Sequence, residues 1–334
     1  LSTKRVLLLY SYDPAFPTSE KIITGLLSAF SQTAPIVDQE FLDSKRLWDA
    51  TSQQNALRTL SHKYQFRPAY DVIVVADDNA FNFALQHKTA LFAQAPIVFL
   101  GINDIESAVE NSTRPDVSGI AEVPSFKKTL HMAMSLFPQR QHLHIITDAS
   151  ITGQADLNAI RVLQQHFQQY HFNELDLSYL SWQELAGRVA QLESQDLIFL
   201  LSAFHDKEQA EKSFNASLAL INANSRVPVF HFWEHGIGDG VLGGFVVSHF
   251  EQAFQAGLMV KHILAGHNNS ELALITENAN VPMFDYSQLI RFSVDSALLP
   301  TGSTILNKPV TVWHLYRTEL IFIAALVFIL LLTT

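Results

Sequence analysis

The amino-acid sequence predicts an α/β protein of two doubly wound parallel-sheet lobes, followed by a connector and the first turns of a transmembrane helix. Three observations carry that prediction. Strand-like and helix-like runs alternate along most of the chain, the pattern of parallel α/β layers. The strand-like runs are unbroken apolar stretches, as in Val6–Leu9 and Val72–Ala76, which suits strands covered on both faces. The alternation lapses near residue 104 and restarts near residue 125, so one architecture occurs twice in 334 residues, an ordinary length for two domains.

Taken in order, Arg5 to Tyr10 (RVLLLY) is the first strand. A helix follows from about Ser19, where Thr18 or Ser19 caps it and Ile22, Ile23, Leu26, Leu27 and Phe30 form one apolar stripe. Then come strand Ile36 to Leu42, a helix near Gln53 to Tyr64, strand Val72 to Ala76, a helix near Ala80 to His87 and strand Pro96 to Ile102. Asp104 to Ser118, with Asn111, Pro115 and Asp116, is predicted to be a loop. The second set comprises helix Ser125 to Phe137, strand His142 to Thr147, helix Gly153 to Tyr170, strand Glu174 to Leu180, helix Trp182 to Leu192, strand Asp196 to Leu201, helix Glu208 to Ala223 and strand Val227 to Trp233. A last helix, Phe250 to Leu264, ends with Lys261 and His262 in its final turn and Gly266 just beyond. The expected divisions are lobe 1 over 1–121, lobe 2 over 122–248, a helix returning to lobe 1 over 249–267, an extended connector over 268–317 and a membrane segment from 318 to 334.

That last segment rests on LIFIAALVFILLL, Leu320 to Leu332, thirteen apolar residues preceded by Trp313 and Tyr316. At ~1.5 Å per residue it reaches about 20 Å, short of a hydrocarbon layer of roughly 30 Å, so it reads as the beginning of a span. The alternative is a buried carboxy-terminal core helix. The chain opens at Leu1 with neither methionine nor an apolar leader, which suggests that a signal peptide or anchor has been removed.

Composition narrows the chemistry. A net charge of −10 without a Lys/Arg cluster gives no footprint for nucleic acid. The absence of cysteine excludes disulfides, thiolate zinc sites and thiol nucleophiles. Fourteen histidines invite a metal, but His142, His144, His231 and His235 come with no completing carboxylate motif, and no metal site is expected. The literal G-x-G-x-x-G at Gly238, Gly240 and Gly243 runs into a β-like segment instead of a helix, so it reads as a loop and not as a dinucleotide site. No nucleophile elbow is present, and no cofactor or catalytic centre is expected.

In open parallel sheets, ligands sit beyond the carboxyl ends of the strands. The residues there form a consistent set: Ser11 and Tyr12, Asp78 and Asn79, Asn103, Asp148, Phe204, and Trp233 with Glu234. Carboxylates and amides supply directional contacts and aromatics supply apolar area, a mixture suited to a small polar organic ligand with an apolar part. For Asp78, Asn79 and Asp148, helix capping is the competing explanation. Edge packing competes for Tyr12, Phe204 and Trp233.

VLLLYSYDPAFP, DVIVVADDNAF, PIVFLGIND, SGIAEVPSFKKTL and GIGDGVLGGFVVSHFEQAFQAGLMVKHILAG together resemble the ABC-transporter substrate-binding-like proteins of the type I periplasmic-binding fold. The likeness covers roughly Arg5 to Gly266, and the following FDYSQLIRFSVDSALLPTGSTILNKP resembles the connector found where such a body is built into a bacterial membrane sensor. It implies a venus-flytrap that closes on a small metabolite, such as an amino acid. It also makes Glu122, in the crossing segment, a further ligand-binding candidate. The reading it favours is the periplasmic sensor region of an inner-membrane receptor, a homodimer with a histidine kinase or diguanylate cyclase output. The alternative is the substrate-binding component of an ABC-type transporter.

Overall fold

The computed structural model describes residues 4–30, 34–309, 316–323, 325 and 331. Lobe 1 is a five-stranded parallel sheet of β1 (Arg5–Tyr10), β2 (Ile36–Phe41), β3 (Val72–Ala76), β4 (Ile97–Ile102) and β5 (Val117–Ala121), in the order β2-β1-β3-β4-β5. Successive side chains of a strand point to opposite faces, so each apolar run feeds two cores. Val6, Leu8, Val72, Val74, Val98 and Leu100 pack on Ile22 and Leu26 of α1 (Ser19–Ser28) and on Ala253, Ala256 and Val260 of a late helix, His249–Leu264. Leu7, Leu9, Ile73, Val75, Ile97 and Phe99 pack on Leu60, Phe81 and Ala108 of α2 (Ala50–Tyr64), α3 (Asp78–Leu91) and α4 (Ile105–Ser112). The late helix lies directly against α1, because a Cβ on Gly25 would overlap the Phe250 carbonyl oxygen.

Lobe 2 repeats the winding. It contains α5 (Phe126–Leu136), β6 (His142–Thr147), α6 (Ile151–Leu163), β7 (His171–Asp176), α7 (Trp182–Ala190), β8 (Asp196–Leu200), α8 (Phe214–Asn224), β9 (Val229–His231) and β10 (Gly243–Val246), with the late helix as α9. Its strands run β7-β6-β8-β9-β10, the same order in sequence terms as lobe 1. Helix starts are capped from the sequence: Ser181 and Glu184 form a reciprocal capping box on α7, and Ser248 caps α9.

Several expectations are corrected. The segment 104–118 is not a loop: Asp104 caps α4 and the chain then enters β5. Short polar-bounded elements of this kind give a weak periodic signal. The segment 268–317 is not simply an extended connector, since β11 (Val281–Asp285) and β12 (Thr304–Leu306), with α10 (Tyr286–Arg291) between them, complete the lobe 2 sheet. Here β11 pairs antiparallel with β10, and β12 pairs parallel with β11. Phe284 and Leu289 enter the lobe 2 core, which is why a turn-rich sequence still folds there. The strand expected at 174–180 lies at His171–Asp176, paired along His142↔His171 as a polar edge strand, while the helix expected from 208 begins at Phe214. No helix among the described residues is long and apolar enough to cross a membrane. Much of the apolar run Leu320 to Leu332, including 324 and 326–330, lies outside the described residues, as does Trp313.

Three chain segments pass between the lobes: after β5, after β10 and before β11. The first and the third are fastened side by side. The Ala121 amide donates to the Ile275 carbonyl at 2.9 Å, and the Asn280 side chain donates to the Val123 carbonyl at 2.7 Å and to Ser125 Oγ at 2.9 Å.

Candidate functional site

The carboxyl ends of β1, β3 and β9 and the first crossing segment converge on one charged, aromatic cluster. From lobe 1 come Tyr12 and Asp77, joined by a 3.0 Å hydrogen bond in which the Tyr12 hydroxyl donates to Asp77 Oδ1. Tyr12 also packs on Phe16 and lies under the Lys45 ammonium. Asp77 is only 8% exposed, and its backbone φ of 70° is a conformation that a non-glycine residue holds only when its surroundings impose it. Burial, reinforced by the nearby Glu122 carboxylate, lifts Asp77 to about 7. The Tyr12 phenol is pushed upward by burial and by the same aspartate.

From lobe 2, Trp233 Nε1 donates to Glu122 Oε1 at 2.8 Å, so the crossing segment and the end of β9 share a charge-assisted bond. The other Glu122 oxygen faces His249 Nε2 at 3.8 Å, and the glutamate side chain is 9% exposed. His249, the first residue of α9, lies between two carboxylates, with its Nδ1 3.6 Å from Glu234 Oε1. Burial alone would lower its pKa, but Glu234, Glu122 and Asp77 hold it above the ordinary histidine value. Glu234 is buried too, yet His249 and Lys21 pull it down to about 2. Its 3.0 Å ion pair with Lys21 of α1 ties lobe 2 to lobe 1.

Two further histidines line the β9 end. His231 Nδ1 lies 2.7 Å from the Leu200 carbonyl, which can only accept, so this nitrogen carries the proton. Its Nε2 therefore accepts from His235 Nε2 at 3.0 Å. Burial lowers His231 to about 3, so that ring is neutral near pH 7, while His235, an exposed residue with a partly covered ring, is shifted downward by that covering and by the nearby His249. The last member is Asp156 on α6, lifted to about 7 by burial and then by Glu122. The Asp156 carboxylate has no hydrogen bond or ion pair among the described residues.

The sequence-derived candidates divide sharply. Tyr12, Glu122, Trp233 and Glu234 meet in this cluster. Ser11 is buried and spent on structure, donating to the Ala76 carbonyl and accepting from the Ala80 amide at the start of α3. Asp78 accepts from the Asn103 and Asp104 amides and from the Asn103 side chain, tying α3 to α4, and Asn79 donates to Ser44 Oγ. Asp148, despite burial, is held below the usual carboxylate range by the bonds it accepts from the Ser150 hydroxyl, the Phe204 amide, Ser202 Oγ and the Ser150 amide. Phe204 is 40% exposed at the adjoining strand end. Asp77, Asp156, His249 and Lys21 were not selected in the sequence. A signal existed for Asp77, the first residue past the strand Val72–Ala76, and for His249, at the start of the last long helix; Asp156 and Lys21 come into range solely through tertiary folding. The strand-borne His142 and His144 both bond Asp196 Oδ1, at 3.2 and 2.8 Å, as a structural trio at the lobe 2 edge.

Two α/β lobes, three crossing segments and a charged aromatic cluster between strand ends define a two-lobed ligand-binding protein of the periplasmic-binding class. Residues 20–282 match the family of ABC transporter substrate binding proteins, and the chain belongs to that family. Among solved structures, it is similar to the ligand-free, open form of a Clostridium difficile substrate binding protein with adhesive properties: 14% identity, TM-score 0.66, covering 92% of this chain and 100% of that one. It is also similar to a Streptococcus pneumonia ABC domain solved with L-Trp, at 12% identity, TM-score 0.56 and coverage of 91% and 100%. A conserved domain protein from Vibrio cholerae is a third, at 14% identity, TM-score 0.54 and coverage of 91% and 100%. At these identities the likeness concerns the fold. No curated protein sequence matches the chain.

Proposed function

We propose that this chain captures a small organic cation, of the amino-acid or amine class, between its lobes and delivers it to an ABC-type permease. The observation that carries the reading is the Glu122–Trp233 bond: a buried carboxylate in the first crossing segment, held by an aromatic from lobe 2 and facing the lobe 1 pair Tyr12–Asp77. A group placed there touches both lobes and the hinge at once, so its binding favours whichever interlobe angle brings them together. Asp77, Glu122 and Asp156 outnumber the one histidine, His249, that lies beside Glu122, so an entering N–H donor cation would let Asp77 and Asp156, both lifted to about 7, ionise and accept from it. Tyr12 and Trp233 offer ring faces to an apolar or cationic portion. An amino acid combines both features, and the Streptococcus neighbour was solved with one.

The test is a thermal-shift and calorimetric screen of amino acids and amines against the purified chain. A ligand at a hundred times its Kd stabilises the folded state by about 2.7 kcal/mol. Glu122→Gln should weaken binding at least tenfold, about 1.4 kcal/mol, by removing the central charge. A ligand that binds both proteins equally, or that is anionic, refutes the site or its chemistry. A second reading is supported by the apolar run Leu320 to Leu332: the same cleft serving as the periplasmic sensor of an inner-membrane receptor, acting as a dimer. Loss of ligand uptake when the gene is deleted supports delivery, whereas intact uptake with lost transcriptional or second-messenger response supports sensing.

A further inference from the structure

The carboxy-terminal end of α9 carries a constellation that the cleft does not use. The helix ends in two crossed-over hydrogen bonds: the Gly266 amide donates to the Ile263 carbonyl at 2.9 Å, and the His267 amide donates to the His262 carbonyl at 3.4 Å. Gly266 has φ 94°, as the left-handed turn of such a helix end requires. This turn brings the side chain two residues past the end onto the one three places before it, a contact usually made by apolar groups. Here both positions are histidine, and the imidazoles stack with centroids 4.3 Å apart and planes 18° from parallel. Glu271 completes the group, with Oε2 3.3 Å from His262 Nε2.

One ligand atom from each of His262, His267 and Glu271 lies within 4.8 Å of the others. The backbone carrying Glu271 is held independently of the side chains. Asn268 caps the short 3-10 turn Asn269–Glu271. The buried Asn269 accepts from Ser118 Oγ of β5 at 2.7 Å, and Leu272 packs into the lobe 1 core. Both sides of the triad are therefore fixed in position before any ion arrives.

We propose that His262, His267 and Glu271 bind a divalent transition-metal ion of the zinc class on the surface of lobe 1, away from the ligand cleft. Two imidazole nitrogens and one carboxylate oxygen are a donor set that suits such an ion at ~2.0–2.2 Å, leaving a fourth position for water or an exogenous ligand. From separations of up to 4.8 Å, ligation would require the two stacked rings to turn so that an in-plane nitrogen of each faces the ion. His267 and Glu271 are exposed and His262 is half-buried, which leaves the ion a direct path from solvent. Bound there, the ion would cross-link the end of α9 to the segment that leads through Ile275 to the third crossing.

The experiment is calorimetric titration of the untagged chain with Zn2+, repeated with Co2+ to read the absorption of a nitrogen- and oxygen-ligated ion. The expected result is one ion per chain, with affinity lowered at least about tenfold by His267→Ala and likewise by Glu271→Gln, and unaltered by His142→Ala, whose histidine lies on lobe 2. Melting the metal-free variants separates lost ligation from lost folding. Because the donors are peripheral, a pair of variants with unaltered metal-free melting is expected. Absence of binding, or binding unaffected by the double variant His262→Ala/His267→Ala, overturns the proposal.

Discussion

Replacing Asp77 with Asn isolates the electrostatic cost stored at the lobe 1 side of the cleft. The asparagine keeps the acceptor for the Tyr12 hydroxyl and tolerates positive φ, so packing and backbone change little. What changes is titration. In the folded chain Asp77 ionises at about 7, against an ordinary carboxyl value of 3.8. Between those values the native state holds a proton that the unfolded state has released, so stability falls as pH rises through the window. The relative benefit is complete below about pH 3.8 and lost above about pH 7. Its full size is on the order of 4 kcal/mol, since each tenfold change in proton affinity between the folded and unfolded chain corresponds to ~1.4 kcal/mol. Urea unfolding of wild type and Asp77→Asn at several pH values between 4 and 8 reads it directly. The variant should match the wild type near the acid end and exceed it by several kcal/mol near pH 8, where the wild type has buried a charge. A stability difference that is the same at pH 5 and pH 8 would refute the reasoning, because uncharged packing effects do not follow the proton.

Two further predictions concern the joint between the lobes. Trp233→Phe preserves an aromatic ring but removes the hydrogen-bond donor to Glu122 Oε1, and should cost about 1.5–3 kcal/mol, seen as a lower urea midpoint with an unaltered slope. An unchanged midpoint would show that solvent already satisfies the glutamate. Asn280→Ala removes the 2.7 and 2.9 Å bonds that fasten the third crossing to the first. It should cost about 1–3 kcal/mol and speed hydrogen exchange at the Ala121 amide more than at the centre of β3. Equal protection at both places would mean that the crossings are not held by this side chain.

The parallel strands of both lobes were legible because apolar runs such as Val72–Ala76 and Asp196–Leu201 are buried on both faces, and burial of that kind leaves no polar residues in the middle of the run. The polar edge strand β7 and the short β5 were displaced or missed because pairing with a neighbour, and not their own pattern, makes them strands. The same holds for β11 and β12, whose residues look like connector until Phe284 finds the lobe 2 core. For the site, strand-end logic reached Tyr12, Trp233 and Glu234, and the family resemblance reached Glu122. It also selected Ser11, Asp78 and Asp148, which have the right chemistry but spend it on neighbouring backbone.

By itself, then, the sequence determined the alternation of layers, the double winding and the strand ends at which a ligand would sit, since these depend on hydrophobic period and local capping. Only the tertiary structure decided which polar side chains remain available there. Hydrogen bonds saturate and charges act over distance, so the standing of Asp77, Asp156 and His249 depends on partners scattered from Tyr12 to Glu234.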